Sequence, residues 1–223
     1  MPAYSALIFD LDGTLIDSAP DIAAALNAGF ARNGWPELDP AYVERFIGNG
    51  PHRLIRDILD DKGIAHDEAA VARAFDGYLR AYLDDPAGRT RFFDHVREDL
   101  GALHAAGVRL GICTNKNHAV TGKVLSQLGL DGLFEAAIGA DAVPACKPDP
   151  GHLRAVAAAM DLTPGTWAYV GDTRVDQATA AAAGVPFYVV PWGGGGEVAV
   201  PAGHRLTRLA DLLQHGRKAS AAE

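Results

Sequence analysis

Cysteine is nearly absent from this chain: Cys113 and Cys146 are the only two among 223 residues. Two thiols cannot form a disulfide framework for a chain of this length. The first residues, Met1-Pro2-Ala3-Tyr4-Ser5, lack a basic stretch leading into an apolar signal segment, so a soluble, reducing compartment, the cytoplasm, is the expectation. Long apolar runs are missing as well. The strongest candidate, 178–192, is interrupted by Gly184, Pro186 and Pro191 and does not read as a membrane span. Positive charge is in deficit, with 20 Lys and Arg against 28 Asp and Glu. The resulting formal charge of -8 repels a nucleic-acid backbone. It leaves room for a small anionic substrate, because a metal ion can invert the field locally. The histidines show no metal-ligand spacing, and no internal repeat stands out.

What the chain does contain is an ordinary globular balance, 48% hydrophobic and 22% charged, enough for one large domain or a domain with an insert. Residues 5–10 form a short apolar run of strand formers that stops abruptly at acids, which reads as a buried strand ending at a functional edge. Similar runs recur at 109–114, 136–139, 167–171 and 186–190. Helical patterns separate them at 96–106, 119–128, 152–160 and 177–183. This alternation predicts an α/β fold with a parallel sheet covered by helices on both faces. Between about 16 and 90 no buried strand is expected, only helices at 39–46, 52–59 and 68–83. An earlier helix start is marked by Ser18 as cap with Asp21 three residues on. Residues 84–88 read as a linker returning to the alternating part. The glycine run 193–196 and the tail after 215 are expected to be flexible.

Four chemistry-bearing clusters each follow a predicted strand. Asp10-Leu11-Asp12-Gly13-Thr14 places two carboxylates on the same side of the chain, and Gly13 lets the backbone turn sharply away. Thr114-Asn115 offers a hydroxyl, an amide and free backbone N–H groups to phosphate oxygens, although helix capping accounts for them equally well. Lys147 sits in Cys146-Lys147-Pro148-Asp149-Pro150, where the prolines limit its direction; a solvated loop lysine is the plainer alternative. Asp172 ends the strand 167–171, with Asp176 one helical turn on. Together these acids suit Mg²⁺, which takes hard oxygen ligands and keeps several waters; an Asp-capped helix would explain Asp172 but not Asp176. In an open parallel sheet, all four strand ends line one ligand crevice.

These four motifs, in order, resemble those of the haloacid dehalogenase-like hydrolase superfamily. The stretches 17–21, 46–50, 113–116 and 171–174 are most similar to its phosphoglycolate phosphatase-like subfamily. The resemblance implies a Rossmann-like core, 1–15 and 91–223, with an inserted α-helical cap at 16–90. It implies Asp10 as nucleophile, Asp12 as general acid then base, Thr114 as phosphoryl ligand and Lys147 as the cation steadying it. It implies Mg²⁺ held by Asp10, the backbone oxygen of Asp12, Asp172 and Asp176, the last directly or through water. The expected reaction is hydrolysis of a small phosphorylated metabolite, 2-phosphoglycolate first, through an aspartyl-phosphate, by a monomer or homodimer without nucleic-acid or membrane partners.

Substrate choice would fall to the cap. Gly48-Asn49-Gly50 with His52 and Arg53 is the first candidate patch, Arg53 or Arg56 pairing with a substrate carboxylate; Asn49, Arg53, Gly13 and Asn115 complete the expected substrate contacts. A sugar-phosphate phosphatase or phosphomutase is the runner-up, because the core chemistry is shared. Asp12 argues against a dehalogenase. The lone insert lysine, Lys62, sits in a polar run and argues against an imine-forming hydrolase. A receiver-like phospho-acceptor would lack the insert.

Overall fold

The computed structural model describes residues 4–214. The expected flexible tail after 215 lies outside the described residues. Five parallel strands form the central sheet in the order β5-β4-β1-β6-β7. They are β1 (Ala6–Phe9), β4 (Arg109–Cys113), β5 (Ala136–Ile138), β6 (Trp167–Gly171) and β7 (Phe187–Val189). The side chains of β1 alternate between two cores, as a period of two requires. Leu7 and Phe9 pack with Val96, Leu100 and Leu103 of α5 (Val96–Ala105) and Val120 and Val124 of α6 (His118–Gln127). Ala6 and Ile8 face the other way, onto Leu153 and Val156 of α7 (Pro150–Ala159) and Ala180 of α8 (Arg174–Ala183). All four residues of β1 are buried, which is why the strand reads as a continuous apolar run rather than an alternating one.

Between the first and second strands of the sheet lie α1 (Ala19–Ala31), α2 (Pro40–Glu44), α3 (Pro51–Asp61) and α4 (Glu68–Asp84). A ribbon that the sequence did not disclose brackets them: β2 (Ile16–Asp17) pairs antiparallel with β3 (Arg91–Phe92). Two residues per strand are too few to display periodicity. The return is fastened by Asp21, whose buried carboxylate accepts from the backbone N–H of Thr90 (2.7 Å), the Thr90 hydroxyl (2.7 Å) and the N–H of Arg89 (3.0 Å). The expected capping box at Ser18 therefore does not form. Ser18 precedes α1 but makes no side-chain cap, and its hydroxyl turns to Asp12 instead. Asp67 does cap α4, accepting from the N–H of Ala70 at 2.7 Å.

α1 and α4 cross where each has a glycine. A β-carbon on Gly77 would lie 2.7 Å from the Cα of Gly29, and one on Gly29 would lie 2.3 Å from the carbonyl oxygen of Ala74. The helical insert shares one core with the sheet, since Leu26, Phe30, Leu54, Ile58 and Tyr82 belong to the same buried cluster as Leu7 and Phe9. No helix among the described residues is long and apolar enough to cross a membrane.

Candidate active site

Because the strands are parallel, their carboxyl ends share one edge, and β1 lies at its centre between β4 and β6. Asp10 leaves the end of β1 and is 3% exposed. Asp172 and Asp176 arrive from the end of β6 and the first turn of α8, and Lys147 from the loop before α7. One oxygen from each of Asp10, Asp172 and Asp176 lies within 4.8 Å of the others, all three residues being buried. Lys147 is buried rather than solvated. Its Nζ lies 2.7 Å from Asp176 Oδ1, 2.9 Å from Asp10 Oδ1 and 3.0 Å from the Tyr169 hydroxyl.

Electrostatics separates the three acids. Burial pushes Asp10 up to about 7; the Lys147 ammonium works against this, and repulsion from Asp176 adds to it. Burial likewise pushes Asp172 up to about 8, reinforced by Asp176 and Asp10. Burial also disfavours the Asp176 carboxylate, but the charge and hydrogen bond of Lys147 outweigh it, with Thr173 and Tyr169, and hold that carboxyl below its ordinary value. Asp176 is fully engaged. Its Oδ1 accepts from Lys147 and from Tyr169 (2.8 Å), and its Oδ2 from the Thr173 hydroxyl (2.6 Å) and N–H (3.0 Å). Thr173, not Asp172, caps α8, and Asp176 completes the reciprocal capping box. Asp176 thus has a structural task that its spacing alone did not reveal. Asp10 Oδ1, by contrast, is buried and accepts no well-formed hydrogen bond despite the nearby ammonium. Three carboxylates facing one ammonium, with one oxygen unsatisfied, fit a hard dication, which would restore neutrality.

Asp12 points elsewhere. Its Oδ1 accepts from the Ser18 hydroxyl at 2.5 Å, and Lys116 Nζ contacts both carboxylate oxygens, at 2.8 and 3.0 Å. Gly13 has φ +82°, and a β-carbon there would come within 2.3 Å of Asp172 Oδ2, so this turn accepts glycine alone. Gly13 therefore packs against an acid of the cluster. Thr14 donates to Asp172 Oδ1 at 2.8 Å. The N–H of Gly194 donates to Asp172 Oδ2 at 2.9 Å. The glycine run 193–196 is accordingly not a loose tether: Gly195 is buried, and a β-carbon on Gly193 would meet the Gly13 carbonyl oxygen at 2.3 Å. Small residues serve there for close approach.

Thr114 follows the end of β4, buried, its hydroxyl accepting from the Lys116 N–H at 3.2 Å. Neither Thr114 nor Asn115 caps the following helix; Asn117 does. The Asn115 amide donates to the carbonyls of Lys147 and Gly48, both at 3.0 Å, tying the loop before α7 to the helical insert. That insert loop meets the site through backbone rather than side chains. Asn49 is exposed, and Arg53 pairs with Asp57 at 2.7 Å with its side chain 68% exposed. Arg56 pairs with Glu68, and His52 stacks on Phe75 at 3.9 Å. Neither arginine lines the cavity over Asp10. That cavity, about 30 Å³, lies between Asp10, Asp12, Thr114, Asn115 and Lys116 below and Ile22, Ile47, Gly48, Pro51, Leu54 and Tyr78 above. A wider cleft of about 550 Å³ opens beside Asp172, with Arg45 and Arg174 on its walls. Lys62 lies over the Tyr42 ring, 4.3 Å from its centre and exposed.

The family model described as haloacid dehalogenase-like hydrolase matches residues 7–190. The chain belongs to that family. Among relatives of this hydrolase, a phosphoglycolate phosphatase of Cereibacter sphaeroides is 40% identical over 210 residues, which cover 94% of this chain and 91% of the relative. One from Rhodospirillum rubrum is 36% identical, covering 84% and 80%. Among solved structures, a predicted phosphoglycolate phosphatase from Haemophilus somnus superimposes with a TM-score of 0.82 at 26% identity, covering 96% of this chain and 98% of that one. The motifs that carry the family, Asp10 to Thr14, Thr114, Lys147 and Asp172 to Asp176, are the segments that converge on the sheet edge. Tyr169 and Gly194 join them with no signal in the sequence, and the tasks of Thr14, Ser18, Lys116 and Thr173, which lie within or beside the motif stretches, are revealed only by their contacts.

Proposed function

We propose that this hydrolase is a phosphatase that cleaves small phosphate monoesters, 2-phosphoglycolate first, with residues 16–90 as the cap over a core of 1–15 and 91–223. The observation that carries the reading is the buried convergence of Asp10, Asp172, Asp176 and Lys147 at the sheet edge, with Asp12 beside them and residues of the insert lining the cavity above Asp10. The naming of the relatives as phosphoglycolate phosphatases supports the same choice.

Asp10 attacks phosphorus, the bond from phosphorus to the ester oxygen breaks, and a proton from Asp12 goes to the departing alkoxide. Water then attacks the aspartyl-phosphate, Asp12 takes the water's proton, and phosphate leaves with Asp10 restored. Lys147 balances the charge of Asp10 and of the incoming phosphate, Thr114 offers its hydroxyl to a phosphoryl oxygen, and the Ser18 hydroxyl keeps Asp12 in place. Asp10 and Asp172 would hold Mg²⁺, with the Asp12 carbonyl; Asp176, its oxygens already engaged, would act through water. The ion supplies charge neutralisation for the phosphoryl oxygens. Asn115 acts as a tie between insert and core as well as a wall of the phosphate site.

The test is kcat/KM for a panel of phosphorylated metabolites with and without Mg²⁺. The expected result is metal-dependent turnover with 2-phosphoglycolate ahead of hexose phosphates. A hexose phosphate in front would overturn the substrate assignment, and no turnover of any ester would overturn the reaction.

A further inference from the structure

The cavity over Asp10 has an uneven wall. The insert contributes Ile22, Ile47, Pro51 and Leu54, which are aliphatic, and Tyr78. The core contributes the acids Asp10 and Asp12 and one cation, Lys116. Lys147 lies behind Asp10, its ammonium directed to Asp176 and Tyr169, and does not line this space. A substrate whose phosphorus meets Asp10 brings its leaving group to Asp12, which protonates it, and so beside Lys116, which contacts Asp12 and lines the cavity.

Lys116 is an unusual lysine. Its side chain is 2% exposed, and its Nζ lies 2.6 Å from the Tyr82 hydroxyl and 4.4 Å from the centre of that ring. It contacts Asp12 twice, at 2.8 Å to Oδ1 and 3.0 Å to Oδ2. An ammonium has three donors, so two of the three serve one carboxylate. One of those two can turn to a second anion without leaving Asp12 unpaired. A fixed, desolvated cation with a donor to spare, facing the aliphatic wall that the insert supplies, selects for a short anionic group.

We propose that Lys116 is the specificity-determining residue of the site, and that it binds the carboxylate of a phosphate ester whose leaving group is a short hydroxy acid. This deepens the phosphatase reading above and rests on it. It moves carboxylate recognition away from Arg53 and Arg56, which are paired with Asp57 and Glu68 and do not line the cavity. Tyr82, on α4, then couples recognition to the insert, because the ammonium that receives the carboxylate also holds the insert's hydroxyl.

The experiment compares two non-hydrolysable ligands of similar shape, 3-phosphonopropionate, which carries the carboxylate, and propylphosphonate, which does not. Dissociation constants are measured calorimetrically with Mg²⁺ present for the native protein, Lys116→Gln and Lys116→Met. Met keeps the apolar stem against Tyr82 and serves if the Gln variant does not fold. The native protein should prefer the carboxylate ligand by about 10-fold or more, in line with a charged hydrogen bond. The preference should collapse to about 1 in either variant, through weaker binding of 3-phosphonopropionate alone. A preference that survives removal of the ammonium overturns the proposal, as does equal binding of both ligands by the native protein. If Lys116 only orients Asp12, the two ligands will change together, which also overturns it. Failure of the phosphatase reading is separate: the native protein would then hydrolyse no phosphate ester.

Discussion

Asp10 and Asp12 are two residues apart yet inhabit different surroundings. Asp10 shares a buried cluster with two more acids and one ammonium, whereas Asp12 lies in a ring of Ser18 and Lys116. A division of labour between them follows from those surroundings rather than from the residues themselves. Thr14 tests how far the cluster depends on its neighbours. It is fully buried and donates to Asp172 Oδ1, so Thr14→Val keeps the shape and removes the bond. The Mg²⁺ concentration for half-maximal activity should rise about 10-fold in that variant with the fold retained, as for other residues that orient metal ligands. An unchanged requirement would mean that Asp172 does not hold the ion. Nothing in the sequence singled out Thr14 for this, because a hydroxyl after Asp-Gly has many possible partners and only the 158-residue return of the chain supplies the one it uses.

At the scale of elements, the alternation of apolar runs and helical patterns made the five-stranded sheet legible. The runs at 109–114 and 167–171 correspond to Arg109–Cys113 and Trp167–Gly171. Long buried strands announce themselves by composition. Short or irregular pieces do not: the β2–β3 ribbon leaves no periodic trace, and the glycine run 193–196 reads as flexible although it packs against Asp172. Ser18 and Asp21 show a related limit: their spacing fits a capping box, but both side chains have stronger tertiary partners in Asp12 and Thr90. The crossing of α1 and α4 gives a direct stability test. Gly77→Ala must push α4 away from Gly29, and overpacking of this kind costs about 1–3 kcal/mol. Differential scanning calorimetry should show Tm lowered by about 2–12 °C. No change in Tm would mean that the α1–α4 contact is looser than described.

For the molecule as a whole, one buried core runs from the sheet into the helical insert, so stability and closure over the site are coupled. Its pH dependence has an identifiable contributor in His152. Burial pushes this imidazole down to about 4, the Lys147 charge acts in the same direction, and a hydrogen bond to the Ile138 carbonyl only partly offsets them. The unfolded chain takes up its proton near the ordinary 6.5, while the folded one resists until about 4. The contribution is therefore fully present above pH 6.5 and is lost progressively as pH falls towards 4, by about 2–3 kcal/mol. Urea unfolding of His152→Gln between those pH values should show a shallower loss than the native protein. Parallel curves would remove His152 from the account.

The proposed mechanism requires that Asp10 itself become phosphorylated. The most direct measurement is rapid acid quenching of the protein during turnover of 2-phosphoglycolate with Mg²⁺, followed by peptide mass spectrometry, with Asp10→Asn as the control. The expected result is a phosphoryl group on the Asp10 side chain in the native protein, and in the Asp10→Asn variant no such label and turnover reduced by about 10⁴-fold or more. Turnover without a label on Asp10, or an active Asp10→Asn variant, would contradict it.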